Sequence, residues 1–289
     1  MRRLFAAVVF ATALIVVLCQ SDIISEDFIR TINARATTWT ARRNFENYTN
    51  EQLKSLAGLK GISRDPNFTL PIVDHDFKSL AIPDSFDARV TWPKCKSIAT
   101  IRDQGHCGSC WAFAAVEVMT DRLCISSGGK KQFTFSPEEL VSCCSHCGNG
   151  CKGGYLYEPF KPYTAKNGKT PSCQRKCVSE YSRQYKEDLH HGITAYQVSH
   201  SVTQMQQEIM KNGPVGASMS VYQHTHGLLQ GQHAIKIIGW GTEKGVPYWL
   251  VANSWGTHFG EHGFFKIRRG TNHCKIESHV AAGSPNTSE

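Results

Sequence analysis

The sequence predicts an α+β protein with two lobes, and three observations lead to that fold class. First, "CWAFAAVEVMTDRLC" places its apolar residues roughly on one face of a helix. Second, the segment 92–177 around this helix holds ten of the twelve cysteines. Third, from residue 193 onward short β-like runs such as "VGASMSVY" and "AIKIIGW" are separated by turn signals. A helical, cysteine-rich half followed by a β-rich half is typical of an α+β protein.

The N-terminus has the pattern of a secretory leader. Arg2 and Arg3 precede an apolar run at residues 4–18 that is too short to cross a membrane comfortably. We therefore predict a signal peptide over residues 1–19. In the oxidising compartment that such a leader implies, most cysteines should be paired. The same route predicts glycosylation at three Asn-x-Ser/Thr sites, Asn47, Asn67 and Asn286.

Charge and composition narrow the range of partners. The net charge of +8 includes no basic cluster with interleaved aromatic residues, so we expect no nucleic-acid partner. No later apolar run approaches spanning length, so we expect no membrane anchor. A monomer in a lysosome-like compartment or outside the cell is the expected state.

Residues 20–80 differ from the rest of the chain and contain no cysteine. Their apolar residues predict two short amphipathic helices, from Phe28, Ile29, Ile32 and Trp39, and then from Leu53, Leu56 and Leu59. We interpret residues 20–80 as a pro-segment and residues 81–289 as the main domain. A helical lobe over about 92–185 and a β lobe over about 186–280 are expected within that domain. The alternative is an N-terminal subdomain that the mature protein retains.

The stretch "RDQGHCGSCWAF" allows three interpretations of Cys107 and Cys110. A thioredoxin-like redox pair would need an apolar strand before the first cysteine, and a polar loop stands there instead. A zinc site would recruit "CCSHCGNGC", although secretion and the glycine spacing favour disulfides. The third interpretation makes Cys110 a nucleophile, whose thiolate form the N-terminus of the following helix would favour.

A catalytic thiolate needs a base and a polar partner that orients the base. His233 in "GQHAIKIIGWG" and Asn253 in "YWLVANSWG" are the candidates, since each lies beside a β-like run. Gln104 lies six residues before Cys110. Its amide, together with the Cys110 backbone N–H, would hold the oxyanion of an attacked carbonyl. Taken singly, each of these residues is equally consistent with a surface or core position.

Four motifs carry a family resemblance: "QGHCGSCWAF", "CGNGCKGGY", "GQHAIKIIGWG" and "PYWLVANSWG". They resemble the papain-type cysteine peptidases, and specifically the cathepsin B branch, and the resemblance covers nearly the whole chain after the leader. It implies a papain-like two-lobed fold, in which a helical lobe with the cysteine helix faces a β-barrel-like lobe. It also implies a cysteine endopeptidase made as a zymogen, with no cofactor and no metal.

The resemblance assigns roles residue by residue. It implies that Cys110, His233 and Asn253 are the catalytic residues and that Gln104 stabilises the oxyanion. It makes the substrate-contacting or enclosing residues Gly153, Gly154, Trp255 and Glu277. In particular, Trp255 would shield the Asn–His hydrogen bond from water. Glu277 would end the pocket for the second residue before the scissile bond.

The family's pairing pattern implies four disulfides: Cys95–Cys124, Cys107–Cys151, Cys143–Cys173 and Cys144–Cys147. It leaves Cys177 without its usual partner. It also matches Cys274 with a cysteine that is normally unpaired.

The chain departs from the family in two gaps. Between Cys151 and Cys173 the histidine-bearing occluding loop is absent. Between Val221 and Gly231 a hairpin-like piece is missing. We expect this second gap to remove a strand from the β lobe and to leave the His233 position less supported. Gln232 also replaces a glycine just before His233.

Two functional hypotheses follow from the resemblance. In the first, the protein is an active endopeptidase whose partners are peptide and protein substrates, its own pro-segment and cystatin-like inhibitors. Its "TTWTARRNF" stretch is expected in the cleft, with mature protein beginning near Ala81 or Ile82. In the second, it is a catalytically weak relative that binds peptides or inhibitors without turnover. An inhibitor that resembles the pro-segment alone is excluded, because the main domain is present.

Overall fold

The computed structural model describes residues 25–34, 40–65, 67–75, 80–157, 172–174, 184–185, 192–222 and 229–287. The chain divides into two compact units, residues 1–51 and 52–289. The predicted signal peptide, Cys177 and most of the stretch between Cys151 and Cys173 lie outside the described residues. Among the helices that are described, none has the length and apolar character needed to span a membrane.

The first unit contains helix α1, Glu26–Asn33. Ser25 caps this helix, because its hydroxyl accepts a hydrogen bond from the Phe28 N–H at 3.3 Å. After the helix, the Asn33 side chain exchanges two hydrogen bonds with the Ala41 backbone, at 3.0 and 2.6 Å. The first predicted amphipathic helix is therefore present, although Trp39 lies outside the described residues.

The remaining helices are α2 Asn50–Leu56, α3 Ala88–Thr91, α4 Cys110–Ser126, α5 Glu138–Cys143 and α6 Val202–Asn212. Short 3-10 helices occur at Lys96–Ala99, Gly150–Lys152 and His273–Lys275. Helix α2 corresponds to the second helix predicted from the sequence. It ends before Leu59, which lies in a strand.

Helix α4 is buried on nearly every side, and the single apolar face expected from the sequence is wrong. Its buried residues include Glu117, Asp121 and Arg122. These charges are tolerated because each is paired. Lys236 Nζ lies 2.8 Å from Asp121 Oδ2 and 3.6 Å from Glu117 Oε2, and Arg122 Nη2 lies 2.6 Å from Glu208 Oε1. The helix thus forms the centre of the second unit.

The strands are β1 Leu59–Gly61, β2 Ile72–Val73, β3 Phe86–Asp87, β4 Gly154–Tyr155, β5 Gly192–Val198, β6 Val215–Tyr222, β7 Leu229–Glu243, β8 Val246–Ala252, β9 Phe264–Arg268 and β10 Val280–Pro285. They form a mixed sheet in the order β2-β5-β10-β6-β7-β1-β4, while β3 and β8 also pair with β7, and β9 pairs with β8. The α+β prediction is confirmed. Over the described strands the sheet is open, so the β-barrel-like description is corrected to an open sheet.

The expected loss of support around His233 is not observed. Strands β6 and β7 pair antiparallel from Val215 opposite Ile237 to Tyr222 opposite Leu229, which places His233 opposite Met219. On its other edge, β7 pairs with β1 at Gln232 and with β8 from Lys236 onward. Within the described residues the two strands stay paired on both sides of His233, with one register shift between Val221 and Tyr222.

Candidate active site

Cys110 is the first residue of α4 and is fully buried. The backbone of Gly58 and that of Ala234, the residue after His233, lie near enough to its thiol to lower the thiol pKa. The start of α4 therefore lies against strand β7 at the histidine that the sequence singled out. Burial raises the pKa of the Cys110 thiol to about 11, although these backbone contacts lower it in part.

Asn253 and Trp255 both contact His233, the residue that precedes Ala234 on β7. His233 Nε2 and Asn253 Oδ1 are 2.7 Å apart, and both residues are buried. Asn253 Oδ1 also accepts from the Ser254 N–H at 2.8 Å, which fixes its amide. The Trp255 ring centroid lies 4.4 Å from that of His233. Burial lowers the pKa of His233 to about 4, against the raising effect of the Asn253 hydrogen bond.

The Gln104 side chain is buried and held on both sides. Its Oε1 accepts from the Ser254 hydroxyl at 2.7 Å, and its Nε2 donates to the Cys107 carbonyl at 2.7 Å. The same Nε2 donates to the carbonyl of Leu56 at 3.0 Å. The Leu56 backbone also raises the pKa of the His233 imidazole, against the larger lowering effect of burial. A backbone carbonyl therefore occupies the place where the sequence predicted an oxyanion to bind.

Gly153 and Gly154 lie against the backbone of Gly58, in the place where the resemblance implied contact with a substrate. The Gly154 N–H donates to the carbonyl of Gly58 at 2.9 Å, and β1 pairs with β4 through Leu59 opposite Gly154. A Cβ on Gly154 would lie 2.4 Å from the Trp111 ring, and one on Gly153 would lie 2.6 Å from the Gly58 carbonyl oxygen. Only glycine leaves room for this approach.

The stretch 56–62 of the predicted pro-segment therefore lies across the candidate site. It follows the "TTWTARRNF" stretch that was expected there, and part of that earlier stretch lies outside the described residues. Leu56 and Gly58 are site residues that were not predicted. The small pair Ala57-Gly58 is a signal in the sequence that is consistent with a close approach of backbones.

Glu277 is buried, and its carboxylate binds groups of the protein itself. Oε1 accepts from Trp249 Nε1 at 2.9 Å and from the Gly270 N–H at 2.6 Å, and Oε2 accepts from the Asn272 N–H at 2.7 Å. These contacts favour a structural role at the turn after β9. They argue against the substrate-pocket role that the resemblance implied.

All four disulfides implied by the resemblance are present: Cys95–Cys124, Cys107–Cys151, Cys143–Cys173 and Cys144–Cys147. Cys110 and Cys274 are thiols. Cys144 and Cys147 form a compact group with His146, their ligand atoms all within 4.8 Å of one another. Because the disulfide uses both sulfurs, this group does not offer thiolates to a metal.

The three predicted glycosylation sites are accessible to different degrees. Asn47 and Asn67 are exposed, whereas Asn286 is half-buried. Their geometry is compatible with modification on the surface.

Comparison with known families gives two matches that together cover most of the chain. Residues 82–284 match the family described as "Papain family cysteine protease". Residues 24–61 match the family described as "Peptidase family C1 propeptide".

Individual relatives agree with this assignment. The chain is 40% identical over 320 positions to a "Cathepsin B-like cysteine proteinase 6" of Caenorhabditis elegans, covering 92% of this chain and 84% of that protein. It is 48% identical over 242 positions to a "Gut-specific cysteine proteinase" of the same organism, covering 70% and 74%. Among solved structures, "proCathepsin B S9 from Trypanosoma congolense" superposes with a TM-score of 0.82 at 31% identity, covering 92% of this chain and all of that one.

Proposed function

The chain belongs to the papain family of cysteine proteases and is a cathepsin B-like cysteine peptidase with its propeptide, and from this premise we propose that it is a zymogen endopeptidase acting through Cys110, His233 and Asn253. One observation carries the proposal. The Leu56 carbonyl accepts a hydrogen bond from Gln104 Nε2 at 3.0 Å, in the manner expected of a substrate carbonyl.

The proposed chemistry is acyl transfer through a thioester. The Cys110 thiolate attacks the scissile carbonyl carbon, and the Gln104 amide stabilises the oxyanion that forms. The C–N bond then breaks, and His233 gives its proton to the leaving amine. Water hydrolyses the thioester and restores the thiol. Asn253 holds the imidazole in the orientation that both proton transfers need, with the Trp255 ring packed against it.

The pro-segment inhibits this chemistry by occupying the site and by excluding water from it. Burial penalises both the thiolate of Cys110 and the imidazolium of His233, so the pair is neutral beneath the pro-segment. Strand β1 of the pro-segment lies between β4, to which it is parallel, and β7, to which it is antiparallel. Removal of the stretch 56–62 would open both strand edges to a substrate.

Labelling with a biotinylated peptidyl epoxide tests the proposal. We expect the acid-activated protein to be labelled, the Cys110→Ala protein to remain unlabelled, and the Cys274→Ala protein to be labelled like wild type. Turnover of a peptide substrate should fall at least about a thousandfold in Cys110→Ser and less in Asn253→Ala, since His233 then loses orientation but keeps its basicity. A folded, processed protein that takes up no label would favour the rival function, peptide or inhibitor binding without turnover.

A finer proposal concerns the mode of cleavage. The sequence between Cys151 and Cys173 lacks the histidines that hold a substrate's C-terminal carboxylate in cathepsin B-like enzymes. The alignment with the Caenorhabditis elegans relative runs over 320 positions although this chain has 289 residues, so gaps fall within this chain. Lys161, Lys166 and Lys169 lie in the shortened stretch, but flexible ammonium groups orient a carboxylate poorly. We therefore propose endopeptidase activity with little release of dipeptides.

Digestion of one peptide as its free acid and as its C-terminal amide tests this mode of cleavage. Internal cleavage at similar rates in both is the expected result. Stepwise dipeptide release from the free acid, lost in the amide, would contradict it. The proposed location of the enzyme is a lysosome-like compartment or the extracellular space, which follows from the predicted leader.

A further inference from the structure

A second stretch of the pro-segment, residues 70–75, is bound to the sheet and is here named the strap. Its strand β2 adds to the sheet edge parallel to β5, with Ile72 opposite Gln197 and Val73 opposite Val198. The Gln197 N–H donates to the Pro71 carbonyl at 2.9 Å, and the Ser199 N–H donates to the Val73 carbonyl at 3.4 Å. The strap therefore forms the outer strand of the sheet.

Side chains fix both ends of the strap. Leu70 is 4% exposed and packs into the apolar cluster around α4. At the other end, the Gln204 side chain accepts from the His75 N–H at 2.6 Å and donates to the His75 carbonyl at 3.0 Å. A carboxamide that binds both backbone groups of one residue holds that residue as a further strand partner would.

The His75 ring enters a buried polar network. Its Nε2 contacts Glu208 Oε2, and the Glu208 side chain is fully buried. Glu208 also receives Arg122 Nη2 at 2.6 Å, the Tyr196 hydroxyl at 2.7 Å and Asn212 Nδ2 at 2.9 Å. Burial alone would raise the pKa of the Glu208 carboxyl, but Arg122, His75 and Tyr196 together lower it to about 2. The Glu208 carboxylate, which contacts His75 and so anchors the strap, therefore keeps its charge in mild acid.

An exposed turn at residues 64–65 joins the stretch 56–62, which lies across the candidate site, to the strap. Gly61 and Ile62 still bind the main unit, because their carbonyls accept from the Leu156 and Tyr157 N–H groups at 3.1 and 3.0 Å. Arg64 and Asp65 are then exposed, and the Arg64 side chain is tied to the main unit by one hydrogen bond, from Nη1 to the Ser145 carbonyl at 2.9 Å. Exposed turns are where proteases cut most readily, because the chain there can adapt to another enzyme's cleft. The two family matches also stop at residue 61 and resume at residue 82, so neither covers the strap.

We propose that the cut that frees the cleft falls at residues 63–65, and that the active enzyme keeps the strap as its N-terminal edge strand instead of beginning near Ala81. The proposal rests on the zymogen function proposed above. The cut is a hydrolysis by a second peptidase molecule, in which water adds across one peptide bond to give a carboxylate and an amine. It separates the inhibitory stretch 56–62 from the strap, so that the first can leave while the second stays bound.

Limited digestion of the full-length Cys110→Ala protein by pepsin in mild acid tests the site of the cut without any activity of its own. We expect the first stable product to begin at residues 64–66. In parallel, wild-type protein activated in acid is labelled at Cys110, captured and sequenced from its N-terminus. Labelled molecules that begin at residues 64–66 support the proposal. Labelled molecules that begin at residues 80–82 from the earliest time point would overturn it, whereas absence of label in wild type alone would count against the proposed function.

A pair of neighbouring variants tests the anchor. His75→Ala removes the ring that contacts Glu208, whereas Asp74→Ala changes an exposed side chain of the same strap. We expect digestion of the strap to be at least about tenfold faster in His75→Ala, because loss of the ring's contact with the buried Glu208 carboxylate favours local opening. Asp74→Ala should match the wild-type rate. Equal rates in His75→Ala and wild type would show that the network does not retain the strap.

Discussion

At the scale of single residues, the same burial that keeps Cys110 and His233 in place also holds them neutral. The pKa of the thiol lies near 11 and that of the imidazole near 4, each shifted chiefly by burial. A charged pair would have to form in a site from which the pro-segment excludes water. On the proposed mechanism, removal of the stretch 56–62 would let water reach the site and so favour the charged pair.

The structural role of Glu277 leads to a prediction. Glu277→Gln places an amide N–H among three donors, so we expect the free energy of unfolding to fall by about 1–3 kcal/mol. If Glu277 does not line the pocket for the second residue before the scissile bond, a change from Phe to Arg at that substrate position should matter equally in both proteins. The ratio of cleavage rates for Arg-Arg and Phe-Arg substrates should therefore not change. Urea unfolding and kcat/KM for the two substrates measure these effects, with Glu261→Gln as a control because the Glu261 side chain is 64% exposed. A fall in that ratio without loss of stability would restore Glu277 to the substrate pocket.

At the scale of elements, β1 completes the sheet between β7 and β4. The pairing depends on close contact of backbones at the start of the strand. A Cβ on Gly58 would lie 2.0 Å from the Gly108 carbonyl oxygen, at the turn before α4. The inhibitory element is therefore recognised through its backbone, and its smallest residue lies where the backbones approach most closely.

Substitution of Gly58 should weaken inhibition. In Gly58→Ala the methyl group prevents β1 from seating, so we expect labelling of Cys110 in the uncleaved zymogen to be at least about tenfold faster than in wild type. Gly61→Ala is the matched control, because a Cβ there meets only the Tyr155 ring at 3.8 Å, an ordinary contact. Similar labelling rates in the two variants would contradict the role assigned to Gly58.

At the scale of the whole molecule, the Glu208 network joins α4, β5 and α6 through Arg122, Tyr196 and Asn212. The folded pKa of Glu208 is depressed from 4.5 to about 2. Its contribution to stability is therefore present above the unfolded pKa and is lost as the pH falls through the folded pKa. The network stabilises the enzyme over the mildly acidic range in which a lysosome-like compartment would place it.

Glu208→Gln should expose this contribution. We expect it to lower the free energy of unfolding by about 3–5 kcal/mol near neutral pH, since Arg122 is left buried without a carboxylate. The difference from wild type should shrink as the pH falls from 4.5 toward about 2. Urea unfolding of both proteins in the Cys110→Ala background, which prevents autolysis, measures the difference. A deficit independent of pH would mean that the ionised carboxylate is not the stabilising form.

Local features of this chain could be predicted from its sequence more completely than features that depend on distant residues. The helix at Cys110 and the two short helices of residues 20–80 were predicted, because helix patterning is local. The burial of α4 on all sides was not, since it depends on partners such as Lys236 and Glu208 that lie far along the chain. Glu277 was assigned from its motif, whereas its contacts depend on how the turn after β9 folds back.

The sequence by itself indicated the candidate site, with a cysteine before an apolar helix and a histidine and an asparagine beside β-like runs, and the family resemblance carried by its motifs implied the four disulfide pairings. These are short-range patterns or motifs, and each can be read where it stands. Only the tertiary structure decided which part of the pro-segment enters the cleft, that the sheet is open, and that residues 70–75 form its edge strand. Those features arise from pairing between residues distant in sequence, such as Gly58 with Gly154 and Val73 with Val198. Strand pairing depends on backbone groups that every residue carries, so it leaves almost no mark on the sequence.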